Sequence, residues 1–265
     1  MGIFDDLLVN RRNLHGEQLA QQVIARLATH TSVDIVSFDI IKKECDLFDC
    51  KIGGPFFLLN GDTLLQQHPS LFLLAQINFA RIANIEGFPK KGILQLFMDG
   101  QDGMYGLDLV GYKAICRYYP DTITNYQIIN PNYSQAILPF DYANQYQLIG
   151  KLASQRITMC DYRFDSMINK YCHDILEPSE IYFDDEFMDY LYENEEVFPC
   201  QISGYPSFAQ NDIRSKKDDR DILLFQLNSV QDICFGDMGV CNFFISESDL
   251  VRQNFNNVWY NWDCS

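Results

Sequence analysis

Residues 204–264 read GYPSFAQNDIRSKKDDRDILLFQLNSVQDICFGDMGVCNFFISESDLVRQNFNNVWYNWDC, and part of that text occurs twice in the chain. Ser203-Gly204-Tyr205-Pro206 answers Gly53-Gly54-Pro55. LLFQLN (Leu223 to Asn228) answers FLLAQIN (Phe72 to Asn78), and GVCNFFI (Gly239 to Ile245) answers GILQLFM (Gly92 to Met98). The three blocks keep their order and a nearly constant offset, which is the mark of an internal duplication. Two copies are too few for a solenoid. The expectation is one domain, 1–265, with repeat one over about 50–130, a helical insert over about 140–197 and repeat two over about 198–264. The fold class is α+β: a β-rich domain built from two pseudo-symmetric repeats, with an N-terminal helix and a helical segment between the repeats.

Local patterning fills in that plan. Leu19, Ala20, Val23, Ile24 and Leu27 make the stripe of an amphipathic helix over 17–29. Residues 32–41 alternate as a strand, Gly53-Gly54-Pro55 is a turn, and 56–59, 71–79 and 92–98 read as strands. Asp102-Gly103 is a hairpin signal, followed by strands over 112–119 and 123–129. In the middle, Phe164, Ile168, Tyr171 and Ile175 fall at helical spacing. Phe187, Tyr190 and Leu191 do so again after Asp184, Asp185 and Glu186, acids that suit a helix N-terminus. The stretch 177–196 is rich in acids and holds no Lys or Arg. It reads either as a solvated face with Phe183, Phe187 and Leu191 turned inward or as a docking surface for a basic partner.

Charge narrows the classes of partner. Lys and Arg number 20 against 36 Asp and Glu, a formal charge of −16. Such a field repels a phosphate backbone and anionic lipid, so neither nucleic acid nor a membrane is expected. A protein partner, basic or neutral, is. The apolar runs fall short of the ~20 residues that cross a bilayer, and MGIFDDLLVNRRN lacks the basic-then-apolar order of a signal peptide. The nine cysteines sit mainly in apolar segments without a Cys-x-x-Cys, which suits reduced thiols and a cytoplasmic location. No metal site and no cofactor is signalled.

Candidate site residues come in two sets. Gln76, Asn78 and Gln95 match Gln226, Asn228 and Asn242, and residues two apart on a strand share a face. These amides either satisfy each other and irregular backbone in a buried network or line a polar cleft between the halves. The second set is Gln210, Asp212, Arg214, Asp237, Trp262 and Asp263, and among these Asp212, Arg214, Asp237, Trp262 and Asp263 have no clear counterpart in the first half. Asp212 and Arg214 alternate on one face and suit a bidentate pair or, through Arg214, recognition of a ligand carboxylate or phosphate. Asp237 sits in the turn Gly236-Asp237-Met238-Gly239. The four histidines lie outside the repeated blocks, Cys172 and His173 are adjacent and point apart, and no nucleophile, phosphate-loop or zinc-protease motif occurs. A hydrolase would have to rest on Asp212, Asp237 and Asp263.

The C-terminal run resembles the YwqG-like family of bacterial proteins, a group of unknown function. Gly204-Tyr205-Pro206, Phe208, Gln210, Asp212 and Arg214 carry the likeness, with Gly236-Asp237, Gly239, Asn242-Phe243-Phe244-Ile245, Asp249-Leu250, Val258 and Tyr260-Asn261-Trp262-Asp263-Cys264. Gly53-Gly54-Pro55, residues 73–78 and residues 92–95 are similar to the family's earlier motifs. The chain departs from the pattern where Gly54 abuts Pro55, where a first-half Trp is missing, and where Phe235 stands before Gly236-Asp237. The resemblance implies an α+β fold with duplicated β-rich halves and no established activity. Some relatives are encoded near secreted toxin systems, which implies an immunity or accessory role. The expected function is therefore a cytoplasmic binding protein acting through protein contacts. The alternative is a small polar ligand binder or hydrolase with a cleft between the repeats.

Overall fold

A computed structural model of the chain describes residues 16–107, 114–131, 133, 136–176, 185–217 and 219–265. The fold is mixed α+β, dominated by one ten-stranded antiparallel sheet curled around a large apolar core. Helix α1 (Gly16–Thr31) buries Ala20, Val23 and Leu27, one face of a 3.6-residue period. Then come β1 (Val33–Lys42), the short strands β2 (Lys51–Gly53) and β3 (Phe56–Leu59), a helical turn α2 (Leu64–Gln67), and the pair β4 (Leu71–Asn78) and β5 (Ile93–Asp99). Strands β6 (Ile115–Tyr119), β7 (Tyr126–Ile129) and β8 (Gln145–Gln155) precede helices α3 (Phe164–Tyr171) and α4 (Asp185–Glu193). The chain closes with β9 (Cys200–Ile202), β10 (Ile222–Asn228), β11 (Val240–Ile245), α5 (Glu247–Val251) and β12 (Trp259–Asp263).

Two local expectations meet a different outcome. The helical insert expected from about residue 140 opens instead with β8, an 11-residue strand. Its alternation is blurred because Tyr146 and Leu148 are buried while Lys151 and Leu152 at its other end are exposed. Pairing with β1, from Val33 opposite Gln155 to Lys42 opposite Tyr146, makes it a strand. Asp102-Gly103 does lie in a turn, yet β5 ends at Asp99 and β6 begins at Ile115, so no two-residue hairpin joins them. The readings made on residues 1–15, on 112–113 and on the acids of 177–184 lie outside the described residues.

The sheet runs β12-β11-β10-β9-β1-β8-β2-β4-β5-β6. Its centre is the long β1–β8 pair, and each of those strands is gripped on its outer side by a three-residue strand. Strand β9 pairs with β1 at Val36 and Ser37, and β2 pairs with β8 over Gln145 to Gln147. Beyond them, β4 shifts register against β5 between Leu73 and Ala75, and β10 shifts against β11 between Leu223 and Phe225. The curl brings the two end strands together. Ala114 N donates to Val258 O at 3.0 Å, Trp262 Nε1 to Met104 O at 2.8 Å, and the Tyr260 hydroxyl to Tyr105 O.

The inner face holds the large core, including Phe72, Leu96, Phe225, Phe243 and Tyr260. The outer face is covered in two patches. Helices α1, α3 and α4 share an apolar cluster with Ile157 near one end. The two-stranded β3–β7 sheet sets Phe56 and Leu58 on Leu71, Leu73 and Phe97 at the other. No described helix is long and apolar enough to cross a membrane.

Candidate functional site

Residues directly opposite in an antiparallel pair share a face, and the register therefore lines up two polar rows on the outer face. Asn261, Asn242, Gln226, Gln201 and Ser37 stand opposite one another in turn from β12 to β1. Gln147, Lys51, Gln76, Gln95 and Arg117 do the same from β8 to β6. Gln76, Gln95, Gln201 and Asn242 are fully buried, and Gln226 nearly so. Gln76 Nε2 donates to Leu47 O at 2.9 Å and Asp49 O at 2.8 Å, and its Oε1 accepts from Gln95 Nε2 at 3.0 Å. Gln226 Nε2 donates to Phe198 O at 2.8 Å, and its Oε1 accepts Ser207 N at 2.8 Å. Asn242 Nδ2 reaches Ser207 O at 2.8 Å. These amides fasten the segments laid over the sheet, supplying the partners that irregular backbone needs when buried.

Lys51, which pattern reading passes over, takes part in the same task. It is completely buried, and its Nζ donates to Asp46 O (3.2 Å), Leu47 O (3.3 Å) and Pro55 O. Burial pulls its pKa down to about 8. An ammonium with three donors meets three carbonyls, so its hydrogen-bonding capacity is used up. The only sequence signal available was an isolated basic residue next to a Gly-Gly-Pro turn.

Asp212 and Arg214 form the bidentate pair that their spacing suggests, at 3.0 Å and 2.7 Å. Asp161, from the segment before α3, completes the set: its Oδ2 accepts Arg214 Nη2 at 2.8 Å, and both its oxygens accept Arg163 at 2.7 Å. Arg214 Nη1 donates to Asp221 O at 3.1 Å, and Asp212 Oδ2 accepts Tyr162 N at 3.0 Å. The Asp161 and Arg214 side chains are 0% and 3% exposed. Burial opposes the charge on Asp161, but the Arg163 hydrogen bonds and the Arg214 and Arg163 charges outweigh it and hold the pKa below the ordinary carboxylate value. Burial likewise works against Arg214, whose pKa its two carboxylates raise. Every Arg214 nitrogen is engaged inside the protein.

The remaining predicted residues are spread out. Gln210 N donates to Asp263 Oδ2 at 2.7 Å and Gln210 Nε2 donates to Cys264 O at 2.8 Å, pinning the end of β12. Burial raises the Asp263 pKa. Asp237 is exposed in a turn flanked by Gly236 (φ 54°) and Met238 (φ 58°). Trp262 packs on Tyr105 at 5.5 Å. Among the described residues no hydrogen bond links Asp212, Asp237 and Asp263. Gln76, Gln226 and Arg214 are buried, the Asp212 side chain is 4% exposed, and all four are bonded to the protein itself.

Among the described residues, the centre of the outer face, between the two covering patches, is left uncovered. There Asp39 and Lys151 pair at 2.6 Å in solvent, and Ile41 and Ile149 are 41% and 42% exposed. Register places all four on the same face: Asp39 stands opposite Ile149, and Ile41 opposite Gln147. Beside them a hollow of about 200 Å³ is lined by Asp49, Cys50, Arg81 and residues 147–150. Asp49 is buried in its wall, ion-paired to Arg81 and accepting Asp46 N at 2.8 Å. Sequence reading missed this patch because its residues come from strands distant in the chain, one of them β8.

A comparison with protein families matches residues 50–264 to one described as a domain of unknown function (DUF1963). The match begins at β2, so α1 and β1 precede it. No curated protein matches the chain.

Proposed function

We propose a function on the premise that the chain belongs to the DUF1963 family, whose description assigns it no activity. The protein acts as a cytoplasmic binding module that works by contact with a basic or neutral protein. An accessory or immunity-like part in a bacterial toxin system fits this reading, in line with the likeness to the YwqG-like proteins. One observation carries it: the sheet's outer face is uncovered at its centre, where Ile41 and Ile149 sit beside a charged pair and a shallow hollow. Apolar side chains grouped on an open sheet face suit a protein contact. The charge of −16 favours encounter with cationic surfaces.

The test is copurification of the tagged protein with the products of neighbouring genes at low salt, followed by reconstitution from purified components. A stoichiometric, salt-sensitive complex is expected, weakened about tenfold or more by Ile149→Asp with circular dichroism unchanged. Absence of any partner at low salt, or full binding by both Ile149→Asp and Ile41→Asp, sinks the reading.

We also infer that the two flanks of the sheet descend from one duplicated unit. Three features support this: the three-residue strands β2 and β9 on either side of the centre, the register shifts at Leu73/Ala75 and Leu223/Phe225, and positive φ at Gly53-Gly54 and Ser203-Gly204. Lys51 and Gln201 then play matching parts, since Gln201 Nε2 also donates to turn carbonyls, at Ser203 (2.9 Å) and Tyr205 (3.4 Å).

A further inference from the structure

Strand β6 is an end strand of the ten-stranded sheet, paired with β5 on one side only. Along an antiparallel strand, alternate residues direct their N–H and C=O to opposite sides. Ala114 N points away from β5, because it donates across the seam to Val258 O at 3.0 Å. Cys116 and Tyr118 share that parity, so their N–H and C=O groups also face outward. Beyond the Ala114–Val258 bond the seam opens into a hollow of about 440 Å³, lined by 116–118, Pro120 and 252–256. The hollow exists because the chain before β12 turns through a short 3-10 segment, Phe255–Asn257, instead of continuing as a strand beside β6. Tyr118 bridges the gap from one side, its ring 4.6 Å from Phe255 and its hydroxyl 3.2 Å from Gln253 Oε1.

Two further features describe the occupant. Arg252 is exposed at the rim, where its charge acts on Asp249 without an ion-pair contact among the described residues, in a chain of strongly negative charge. Arg117, by contrast, is held by Asp62 at 2.9 Å. Pro120 also lines an adjoining hollow of about 500 Å³, with Phe48, Ile93 and Ile123 as apolar walls and Asn78, Lys91 and Asp121 among its polar lining. The groove thus offers backbone donors and acceptors, then a cation, then an apolar recess.

We propose that this seam binds an extended peptide segment carrying an acidic residue. The peptide adds as a strand to the free edge of β6 through Cys116 N, Tyr118 N and Tyr118 O, sets its carboxylate against Arg252 and places an apolar side chain beyond Pro120. Cys116 O already accepts Arg117 Nη1 at 3.2 Å, so the pairing centres on Tyr118. The site is separate from the open sheet centre, and it stands or falls independently of that surface.

Random linear peptides displayed on phage, panned at low salt on the whole protein, provide the probe. Recovered peptides are expected to carry an acidic residue and, as synthetic peptides, to slow hydrogen exchange at the Cys116 and Tyr118 amides about tenfold or more. Arg252→Glu should weaken binding about tenfold, and replacing the peptide's acid by lysine should restore it to that variant. This charge exchange also separates a lost contact from a misfolded variant. Recovery of no peptide, protection confined to other amides, or binding indifferent to the charge at position 252 overturns the proposal.

Discussion

Single side chains here do more fastening than chemistry, and two buried charges show it in opposite ways. Lys51 has a pKa lowered to about 8 by burial, against 10.5 in the unfolded chain. Between those values the unfolded chain holds more protons, so the lysine's contribution to stability rises with pH through that window and is least below it. Lys51→Met leaves three buried carbonyls without a donor and should lower the unfolding free energy by about 3 kcal/mol near neutrality. In urea titrations the gap between wild type and variant should widen from about pH 8 to about pH 10; a constant gap would mean that the folded lysine keeps the pKa of the unfolded chain. Asp161 runs the other way. Its pKa is held below 3.8, so its stabilisation is present above that value and is lost as pH falls through the lower folded one. Asp161→Asn strands Arg214 and Arg163 and should cost about 3–5 kcal/mol at neutral pH, with the difference shrinking in acid.

Among the elements, the turn after β9 bears a tight constraint. Gly204 sits at φ +83°, and a Cβ there would run into Gln155 Oε1 and approach Ile35 Cγ2 at 2.6 Å. Gly61 has a similar φ of +86° but open space around it. Gly204→Ala should therefore destabilise by about 3 kcal/mol or more, combining backbone strain with overpacking, and Gly61→Ala by about 1 kcal/mol. Equal losses in thermal or urea unfolding would show that strain alone governs both sites. The glycine of the turn was legible in the sequence; the Gln155 that makes it irreplaceable was not, since it lies on β8, whose pattern resembles neither a clean strand nor a helix.

Over the whole molecule, the β1–β8 pair belongs to neither flank and joins both, while the curled sheet is closed where its two end strands meet. Both tryptophans lie on β12, at that closure. Unfolding followed by tryptophan fluorescence should therefore coincide with unfolding followed by far-ultraviolet circular dichroism. An earlier fluorescence transition would show that the second flank opens independently. Tyr260→Phe removes the hydroxyl that reaches Tyr105 O across the seam and should shift both curves together by about 1–2 kcal/mol.

Strands β1, β3 to β7, β10 and β11, the Gly turns, the amphipathic α1, α3 and α4, and the Asp212–Arg214 pair are written in short-range pattern, because each depends on spacing within a few residues. The α+β class follows from that much. Tertiary structure alone decided three other things. Residues 145–155 became a strand because β1 was there to pair with them. Gln76, Gln226 and Arg214, which stand out as polar residues amid apolar runs, were buried because covering segments placed carbonyls and carboxylates, Asp161 among them, within hydrogen-bond reach. The open sheet centre and the seam beside β6 arise only when strands from distant parts of the chain are laid side by side, and no local pattern encodes which backbone edge the curl will leave unpaired.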